Sequence, residues 1–171
     1  MSDDAPVLAT ARLELHRAVS ADGPFLLALL NDPDWLRYIG DRGVRSLADA
    51  EAYVRDNLQA HYRAHGYGLY RVRLRSGATP IGLCGLLRRD FLVLPDLGFA
   101  FLPPYVGHGY AAEAARGVIA YARRELGIER LCAIARPDNE RSLRLLGRLG
   151  FRYVQPQPTP GGEVVALHVN G

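Results

Sequence analysis

The sequence predicts an α+β fold built on a mixed, mainly antiparallel sheet. Residues 69–74 alternate arginines with apolar residues, and a Ser-Gly turn leads from them into a mostly apolar run at 80–87, which is typical of an antiparallel hairpin. A strand, a long helix and another strand follow one another over residues 97–135, and such a unit places its two strands in parallel. The predicted order of elements, β-α-α-β-β-β-α-β-α-β-β, is that of an α+β layout.

The first half of the chain is predicted to contain one strand and two helices before the hairpin. Leu13 and Leu15 alternate with polar residues, which indicates a half-buried strand. The apolar residues over 25–30 predict a helix, and the Asn-Asp-Pro sequence after them is expected to end it. A second helix is expected to begin after Ser46, whose side chain can cap it, and to end at Gly66.

The second half is predicted to contain two helices and four further strands. Alanine and valine residues recur at helical spacing after the Gly-His-Gly turn at 107–109, and Gly127 is expected to end this helix. Another helix is expected over 139–149. The strands are expected at 97–102, 131–135, 151–154 and 164–169.

Length and composition predict one domain. The chain has 171 residues, of which 49% are hydrophobic and 23% are charged, as in an ordinary globular protein. We expect a flexible tail over residues 1–9 and a single domain over residues 10–171. No apolar run approaches the ~18 residues of a membrane helix, and the first residues lack the basic and apolar segments of a signal peptide. These features predict a cytoplasmic protein without a membrane partner.

All 21 positively charged residues are arginines. The absence of Lys excludes Schiff-base lysines, P-loop lysines and Ser-Lys dyads. The net charge is only +3 and the arginines are spread along the chain, so we expect no nucleic-acid partner. Cys84 and Cys132 lie in apolar stretches without the spacing of a metal site. Both are therefore predicted to be small core residues, and no metal is expected.

The most informative segment joins a strand to a helix through the glycine turn at residues 107–112. The first N–H groups of a helix have no partner within it, and the helix dipole adds partial positive charge there. Glycines let the backbone approach an anion closely. The segment therefore predicts a phosphate or pyrophosphate site. The alternatives are a plain glycine turn and a dinucleotide site, and the missing third glycine disfavours the dinucleotide site.

The run from Pro104 to Ala114, Pro-Tyr-Val-Gly-His-Gly-Tyr-Ala-Ala-Glu-Ala, resembles the acetyl-CoA pyrophosphate loop of the GNAT acetyltransferases. It is most similar to the branch that contains the ribosomal-protein alanine and serine N-acetyltransferases, called RimJ/RimL-like. The chain departs from that branch at Val106 and His108, where Trp and Lys are usual. Three further segments resemble the branch in the expected order, at residues 10–17, 81–86 and 139–151.

The resemblance implies the GNAT fold, in which two parallel strands splay apart and helices lie on both faces of the sheet. It implies that acetyl-CoA binds in the splay as a co-substrate. The pantetheine arm is then expected along Phe99, Ala100 and Phe101. Asn139 matches an Asn whose amide contacts that arm, and it can also cap the last helix. The residues implied for the pyrophosphate are Gly107, His108, Gly109, Tyr110, Ala111 and Ala112.

The resemblance also implies candidates for the chemistry of acetyl transfer. Asp96 matches the position at which the superfamily's catalytic Glu often lies, so it is either a base acting through a water or a polar residue at a strand end. Many members protonate the leaving thiolate with a Tyr on the last helix, and Leu146 occupies that position here. Ser142 is then the alternative donor near the sulfur, or a small residue that packs beside the cofactor. Glu113 is expected to have a structural role.

The acceptor site is expected to come from the first two helices and their connection. Trp35, Tyr38 and Tyr67 are candidates to line it, and they are equally well explained as core aromatics. The resemblance predicts an N-acetyltransferase whose acceptor is a primary amine, either a protein N-terminus or a small amine. The alternative is a non-catalytic acyl-CoA-binding or sensor domain on the same fold, which the missing Tyr keeps open. A monomer or a homodimer is expected.

Overall fold

The computed structural model describes residues 5–171, which form a mixed sheet of eight strands with helices packed against it. The strands are β1 (Leu8–Ala9), β2 (Leu13–His16), β3 (Leu69–Leu74), β4 (Pro80–Leu87), β5 (Asp96–Phe101), β6 (Cys132–Ala135), β7 (Phe151–Pro158) and β8 (Val164–Asn170). The α-helices are α1 (Gly23–Leu30), α2 (Pro33–Tyr38), α3 (Leu47–Tyr53), α4 (Ala60–His65), α5 (Tyr110–Glu125) and α6 (Glu140–Arg148).

The order of strands across the sheet is β1-β2-β3-β4-β5-β6-β8-β7. Each neighbouring pair is antiparallel except β5 and β6, which are parallel. This topology confirms the predicted α+β fold class with its single parallel pair. The strands β3 and β4 have the predicted bounds, and Leu13 and Leu15 of β2 are fully buried, as expected for the inward positions of an alternating strand.

The start of the chain differs from the predicted tail over residues 1–9. Residues 1–4 lie outside the described residues. Leu8 and Ala9 form β1 and pair with Leu15 and Glu14 of β2. An edge strand offers unpaired backbone groups to an extended neighbouring segment, which explains why this short stretch is ordered onto the sheet.

The helix α2 was not predicted from the sequence. The Asn-Asp-Pro sequence ends α1 at Leu30, as expected. However, the Asp32 carboxylate then accepts a hydrogen bond from the Asp34 backbone N–H and caps a new helix, with Pro33 at its first position. The same tripeptide therefore ends one helix and begins the next.

The long helix predicted after Ser46 is interrupted. Its two ends are as predicted, because the Ser46 hydroxyl accepts a hydrogen bond from the Asp49 backbone N–H at 3.0 Å and Gly66 ends α4. Between α3 and α4, however, residues Val54–Gln59 form a π-helix. Such turns are rare and occur frequently at functional sites.

The helix α5 packs on β4 and β5 and carries much of the core. Its inward side chains are small, which lets the helix lie close to the sheet; the fully buried ones are Ala114, Ala115, Val118 and Ala122. Cys84 and Cys132 are free and buried, which confirms their prediction as core residues. None of the helices within residues 5–171 combines the length and the apolar character that crossing a bilayer requires.

The strands β5 and β6 pair at one position only. Asp96 lies opposite Cys132, and beyond this pair the described part of β5 has no partner in β6. The strand β6 pairs along its whole length with β8 instead. The two parallel strands therefore diverge towards Phe101 and Ala135, and a wedge opens in the middle of the sheet.

Candidate functional site

A cavity of about 600 Å³ occupies the wedge between β5 and β6, a volume typical of small-molecule sites. Its walls come from β5, the start of α5, the β6–α6 segment, α2 and the π-helical segment. The predicted site residues that line it are Trp35, Tyr38, Asp96, Phe99, Ala100, Phe101, Gly107, Gly109, Tyr110, Ala111, Ala112, Asn139 and Ser142.

Two predicted site residues have side chains that do not line this cavity in the described part of the chain. The His108 ring turns back on its own turn, where Nε2 donates a hydrogen bond to the Pro104 carbonyl at 3.1 Å. The Tyr67 backbone carbonyl accepts a hydrogen bond from His61 Nδ1 at 2.7 Å, and the Tyr67 ring lies against the His61 ring. The side chains of both residues therefore lie outside this cavity wall, and their assignment to ligand binding stays a prediction.

The glycine turn presents backbone N–H groups to the cavity. Gly107 and Gly109 have φ values of 86° and 80°, which other residues rarely adopt. The N–H groups that follow Gly109 begin α5 and have no acceptor within it. A Cβ placed on Gly107 would meet no atom within 4 Å, so the space in front of the turn is open. This combination of free N–H groups, helix dipole and open space suits a large anion such as pyrophosphate.

Arg12 and Glu113 brace the glycine turn against the edge of the sheet. The Glu113 carboxylate accepts hydrogen bonds from the Arg12 backbone N–H at 2.9 Å, from Arg12 Nε at 2.8 Å and from the Thr10 hydroxyl. Arg12 Nη1 also donates to the His108 carbonyl at 3.1 Å, and its guanidinium lies 4.5 Å from the centre of the Tyr110 ring. These contacts give Glu113 a structural role, which is what its position inside the helix predicted.

The helix α6 forms the opposite wall of the wedge. Asn139 Oδ1 accepts a hydrogen bond from the Ser142 backbone N–H at 3.3 Å and caps the helix, so that Nδ2 is left for other partners. The Ser142 side chain is at the cavity wall, and its hydroxyl makes no hydrogen bond within residues 5–171. Leu146, one turn further along, is buried and also lines the cavity. This wall therefore offers an amide and a hydroxyl group followed by an apolar side chain.

Three arginines of α6, Arg141, Arg144 and Arg148, follow the cavity wall towards its mouth. Arg141 pairs with Asp34 at 3.0 Å and thereby joins α6 to α2, while Arg144 lies 3.8 Å from Glu140. Exposed ion pairs of this kind are weak. The guanidinium groups can therefore exchange these partners for a phosphate, which they bind through a flat fork of donors.

Asp96 lies where β5 and β6 begin to diverge, and only 2% of the residue is exposed. Its Oδ2 accepts a hydrogen bond from Arg89 Nε at 2.8 Å, whereas its Oδ1 lacks a well-formed hydrogen bond within residues 5–171. Burial raises the pKa of Asp96 to about 6, although the Arg89 charge acts to lower it. A carboxylate with this pKa can exchange protons near neutral pH, as a general base must.

Arg89 and His61 also line the cavity, although neither was predicted to be a site residue. No motif marks Arg89, which lies on the connection between β4 and β5 and lines the cavity. His61 falls within the helix predicted between Ser46 and Gly66, where helical spacing places it on the apolar face, and that position was the available signal. Its Nδ1 donates to Tyr67 and its Nε2 accepts from the Arg88 backbone N–H at 3.0 Å, while burial lowers its pKa. His61 is therefore a neutral anchor for the β4–β5 connection rather than a free base.

Side chains of α2 and the π-helical segment close the other end of the cavity. Trp35 is 5% exposed, and its indole N–H has no partner within residues 5–171. Tyr53, Asn57 and His61 are spaced by four residues, and all three line the cavity. In an α-helix, side chains spaced by four residues move gradually around the helix. A π-helical turn contains more residues, so the same spacing keeps these side chains on one face. Sequence reasoning missed Tyr53 and Asn57 because it assumed a regular α-helix there.

Comparisons with known proteins agree with this architecture. Residues 12–152 match the family model described as the acetyltransferase (GNAT) domain. An uncharacterized N-acetyltransferase of Bacillus subtilis, YoaA, is 26% identical over 149 residues, which cover 86% of this chain and 83% of YoaA. The crystal structure of an acetyltransferase from Agrobacterium tumefaciens aligns with a TM-score of 0.81 at 24% identity, covering 100% of this chain and 97% of that one.

The structure of RimL, a ribosomal-protein α-N-acetyltransferase in complex with coenzyme A, aligns with a TM-score of 0.75 at 16% identity. The alignment covers 97% of each chain. At these levels of identity, the two solved structures establish the fold alone.

Proposed function

The chain belongs to the acetyltransferase (GNAT) domain family and is an N-acetyltransferase; from this premise we propose that it moves the acetyl group of acetyl-CoA to a primary amine. One observation carries the proposal. A single cavity brings together a glycine turn with free backbone N–H groups, a stretch of β5 that is unpaired on its β6 side and the buried carboxylate of Asp96. These three features correspond to the phosphates, the pantetheine arm and the proton transfer that the reaction requires.

The residues of the wedge fit coenzyme A. The backbone N–H groups at residues 107–112 would hold its pyrophosphate, with open space in front of Gly107. The stretch from Phe99 to Phe101 has no partner on its β6 side, so the amide groups of the pantetheine arm can extend the sheet there. The complex of RimL with coenzyme A supports this placement, because it shares the fold. When bound, acetyl-CoA supplies the activated acetyl thioester.

Asp96 is the proposed base. An acceptor that arrives as an ammonium group must lose a proton before its nitrogen can act as a nucleophile. Asp96 is mostly ionised above about pH 6, so it can take this proton at neutral pH. Because the carboxylate is enclosed, the proton reaches it through a water molecule or after a small rotation of the side chain.

Ser142 is the proposed donor to the leaving sulfur. Its hydroxyl is free of protein partners in residues 5–171 and faces the same cavity as Asp96. Leu146 lies one turn away and cannot donate a proton, so Ser142 is the hydroxyl that α6 can contribute. A preorganised donor stabilises negative charge as it develops on the sulfur.

The acceptor amine is proposed to enter between α2 and the π-helical segment. Trp35 and Tyr38 would line its path together with Tyr53 and Asn57, which sequence reasoning did not name. Both a protein N-terminus and a small primary amine are compatible with this mixture of aromatic and polar side chains. RimL, which shares the fold and is described as a ribosomal-protein α-N-acetyltransferase, supports testing peptides first.

The experiment is an acceptor panel with acetyl-CoA as the donor. It contains peptides that begin with Ala, Ser or Leu, together with polyamines and aminoglycosides. Free coenzyme A is followed with a thiol reagent, and mass spectrometry locates the new acetyl group. We expect release of coenzyme A with at least one class of amine and an acetyl group on its primary nitrogen. Asp96→Asn is the matched control for acetylation that occurs without the enzyme's base.

Two other results would redirect the proposal. Binding of acetyl-CoA by calorimetry without turnover on any amine would favour a non-catalytic acyl-CoA-binding domain. A protein that folds but binds no acetyl-CoA would contradict both interpretations of the wedge.

A further inference from the structure

Arg89 and Asp96 both line the cavity, and their side chains form an ion pair. Arg89 Nε lies 2.8 Å from Asp96 Oδ2, while about a third of the Arg89 side chain remains exposed. The Asp96 side chain, by contrast, is 3% exposed. Within residues 5–171, Arg89 is the only residue that forms an ion pair with Asp96.

The contact between the two groups uses one oxygen of the carboxylate. A guanidinium can bind both oxygens of a carboxylate at once through two parallel hydrogen bonds. Here Nε reaches Oδ2, and Oδ1 lacks a well-formed hydrogen bond within residues 5–171. A carboxylate that is held by one oxygen keeps its second oxygen for a proton.

The backbone that carries Arg89 is fixed from several directions. The Arg89 carbonyl accepts a hydrogen bond from the Leu92 N–H at 3.1 Å, which closes a tight turn. The Arg88 backbone N–H donates to His61 Nε2 at 3.0 Å, and Arg88 Nη1 donates to the Val93 carbonyl at 2.9 Å. The guanidinium of Arg89 therefore extends from a rigid connection and not from a loose loop.

The other elements around Asp96 supply little charge. From β6, the Cys132 thiol faces it, and burial, followed by the Asp96 charge, raises the pKa of Cys132 to about 12, so this group stays neutral. The Ile134 backbone N–H lowers the pKa of Asp96 by a smaller amount than Arg89 does. Burial works in the opposite direction and is the largest influence on Asp96. Arg89 is thus the main charge that offsets burial at this site.

We propose that Arg89 is a positioning residue for acetyl transfer, which holds Asp96 by Oδ2, keeps it ionised at neutral pH and leaves Oδ1 for the acceptor's proton. The role in the reaction rests on the proposed function of Asp96 as the base. The contact by which Arg89 holds Asp96 does not rest on that function, so the contact and the role in the reaction can be tested separately.

The first measurement is a titration of the Asp96 carboxyl by carbon-13 NMR, with Asp96→Asn used to assign its signal. Arg89→Gln removes the positive charge, and we expect the midpoint to move upward by about one to two pH units. Arg89→Lys keeps a positive charge but lacks the planar fork, so a smaller upward movement is expected. Arg88→Gln is the matched control, because it removes a positive charge from the same connection while the backbone hydrogen bond from Arg88 N–H to His61 remains, and it should leave the midpoint in place.

The second measurement is the pH dependence of kcat/KM with an acceptor from the panel. The base must be ionised, so the rate should rise with pH through the Asp96 titration. In Arg89→Gln the acidic limb should move upward with the NMR midpoint, which lowers the rate near neutral pH about 2- to 10-fold and restores it at high pH. The KM for acetyl-CoA should stay unchanged, because Arg89 does not belong to the glycine turn. Arg88→Gln should behave like the parent protein.

The possible outcomes distinguish the hold of Arg89 on Asp96 from the role of Asp96 as the base. An Asp96 midpoint that stays in place in Arg89→Gln would overturn the inference. A midpoint that moves while the rate profile does not would support the hold on Asp96 and overturn the assignment of Asp96 as the base. Should Arg89→Gln fail to fold, Arg89→Lys decides, because an unmoved midpoint together with an unchanged kcat would overturn the positioning role.

Discussion

The two ends of the wedge are built in different ways. At the proposed cofactor end, one contiguous segment would supply the binding groups, which are the backbone N–H donors at residues 107–112. At the acceptor end, side chains converge from α2, the π-helical segment, the β4–β5 connection and the first residue of β5. A site made of backbone groups can therefore tolerate side-chain changes such as Val106 and His108. A site made of side chains depends on the identity of each residue that lines it.

The largest effect is expected at the acceptor end, from Asp96→Asn. Loss of a general base should lower kcat by about 10²- to 10⁴-fold, with the affinity for acetyl-CoA nearly unchanged. In the parent protein, kcat/KM should rise with pH to a plateau above about pH 6, because the Asp96 carboxyl must lose its proton first. Steady-state kinetics over a range of pH checks both points. A variant with the parent's turnover at every pH would show that another group, or water alone, takes the proton.

The same substitution should stabilise the fold, with a dependence on pH. The pKa of Asp96 rises from its ordinary value of 3.8 to about 6 on folding, so the folded state binds this proton more tightly than the unfolded chain does. Stability is therefore lost as pH rises from about 4 to about 6, and Asp96→Asn should recover up to about 3 kcal/mol near pH 7 and almost nothing near pH 4. Urea unfolding at the two pH values measures this difference. An equal effect at both pH values would contradict the raised pKa.

The next effect is expected from Ser142→Ala, where the two ends of the wedge meet. Loss of one preorganised donor to the leaving sulfur should slow acetyl transfer by about 10- to 1000-fold, while binding of acetyl-CoA stays nearly intact. Single-turnover kinetics separates the chemical step from binding. Leu146→Tyr in the Ser142→Ala background is the informative companion, since a phenol at that position can restore part of the rate. Parent-like turnover of Ser142→Ala would mean that the hydroxyl only packs.

A smaller effect is expected at the cofactor end, from Gly109→Val. A side chain there must adopt a φ of 80° and would meet Arg12 Nη2 at 3.4 Å, beside the backbone that approaches the pyrophosphate. Affinity for acetyl-CoA should fall at least about tenfold, since strain of this kind costs about 1–2 kcal/mol before any steric exclusion of the phosphates. Gly127→Val is the matched control, with a φ of 66° at the other end of α5 and open space around it. Calorimetry should find full affinity for acetyl-CoA in the control. Equal losses of affinity in both variants would contradict the assignment of residues 107–112 to the pyrophosphate.

The smallest effects are expected from removing the contacts that hold the two ends of the wedge in place. Glu113→Ala removes a partly buried carboxylate that accepts three hydrogen bonds, and should lower the free energy of unfolding by about 1–3 kcal/mol. Asp34→Asn breaks an exposed ion pair with Arg141 and should cost less than about 0.5 kcal/mol. Chemical denaturation of the two variants beside the parent measures both values. We expect the cofactor end to be the more firmly held, and a larger loss of unfolding free energy for Asp34→Asn than for Glu113→Ala would contradict this.

Much of the fold could be predicted from local sequence. The hairpin of β3 and β4 had the expected bounds, because alternation and a Ser-Gly turn specify it within 19 consecutive residues. The caps at Ser46 and Gly66 were also predictable, since a cap depends on a few neighbouring residues. The helix α2 and the π-helical segment were not, because short helices and π-turns have no periodic signal of their own.

The sequence by itself determined the backbone of the proposed cofactor end. Two glycines in front of a helix specify an array of backbone donors wherever that helix lies, and neighbouring residues were enough to recognise it. Only the tertiary structure decided the acceptor end. It enclosed Asp96 beside Cys132 and placed Arg89 on its Oδ2. The physical reason is that a pKa, an ion pair and a cavity wall depend on burial and on groups brought together from distant parts of the chain, which no local pattern encodes.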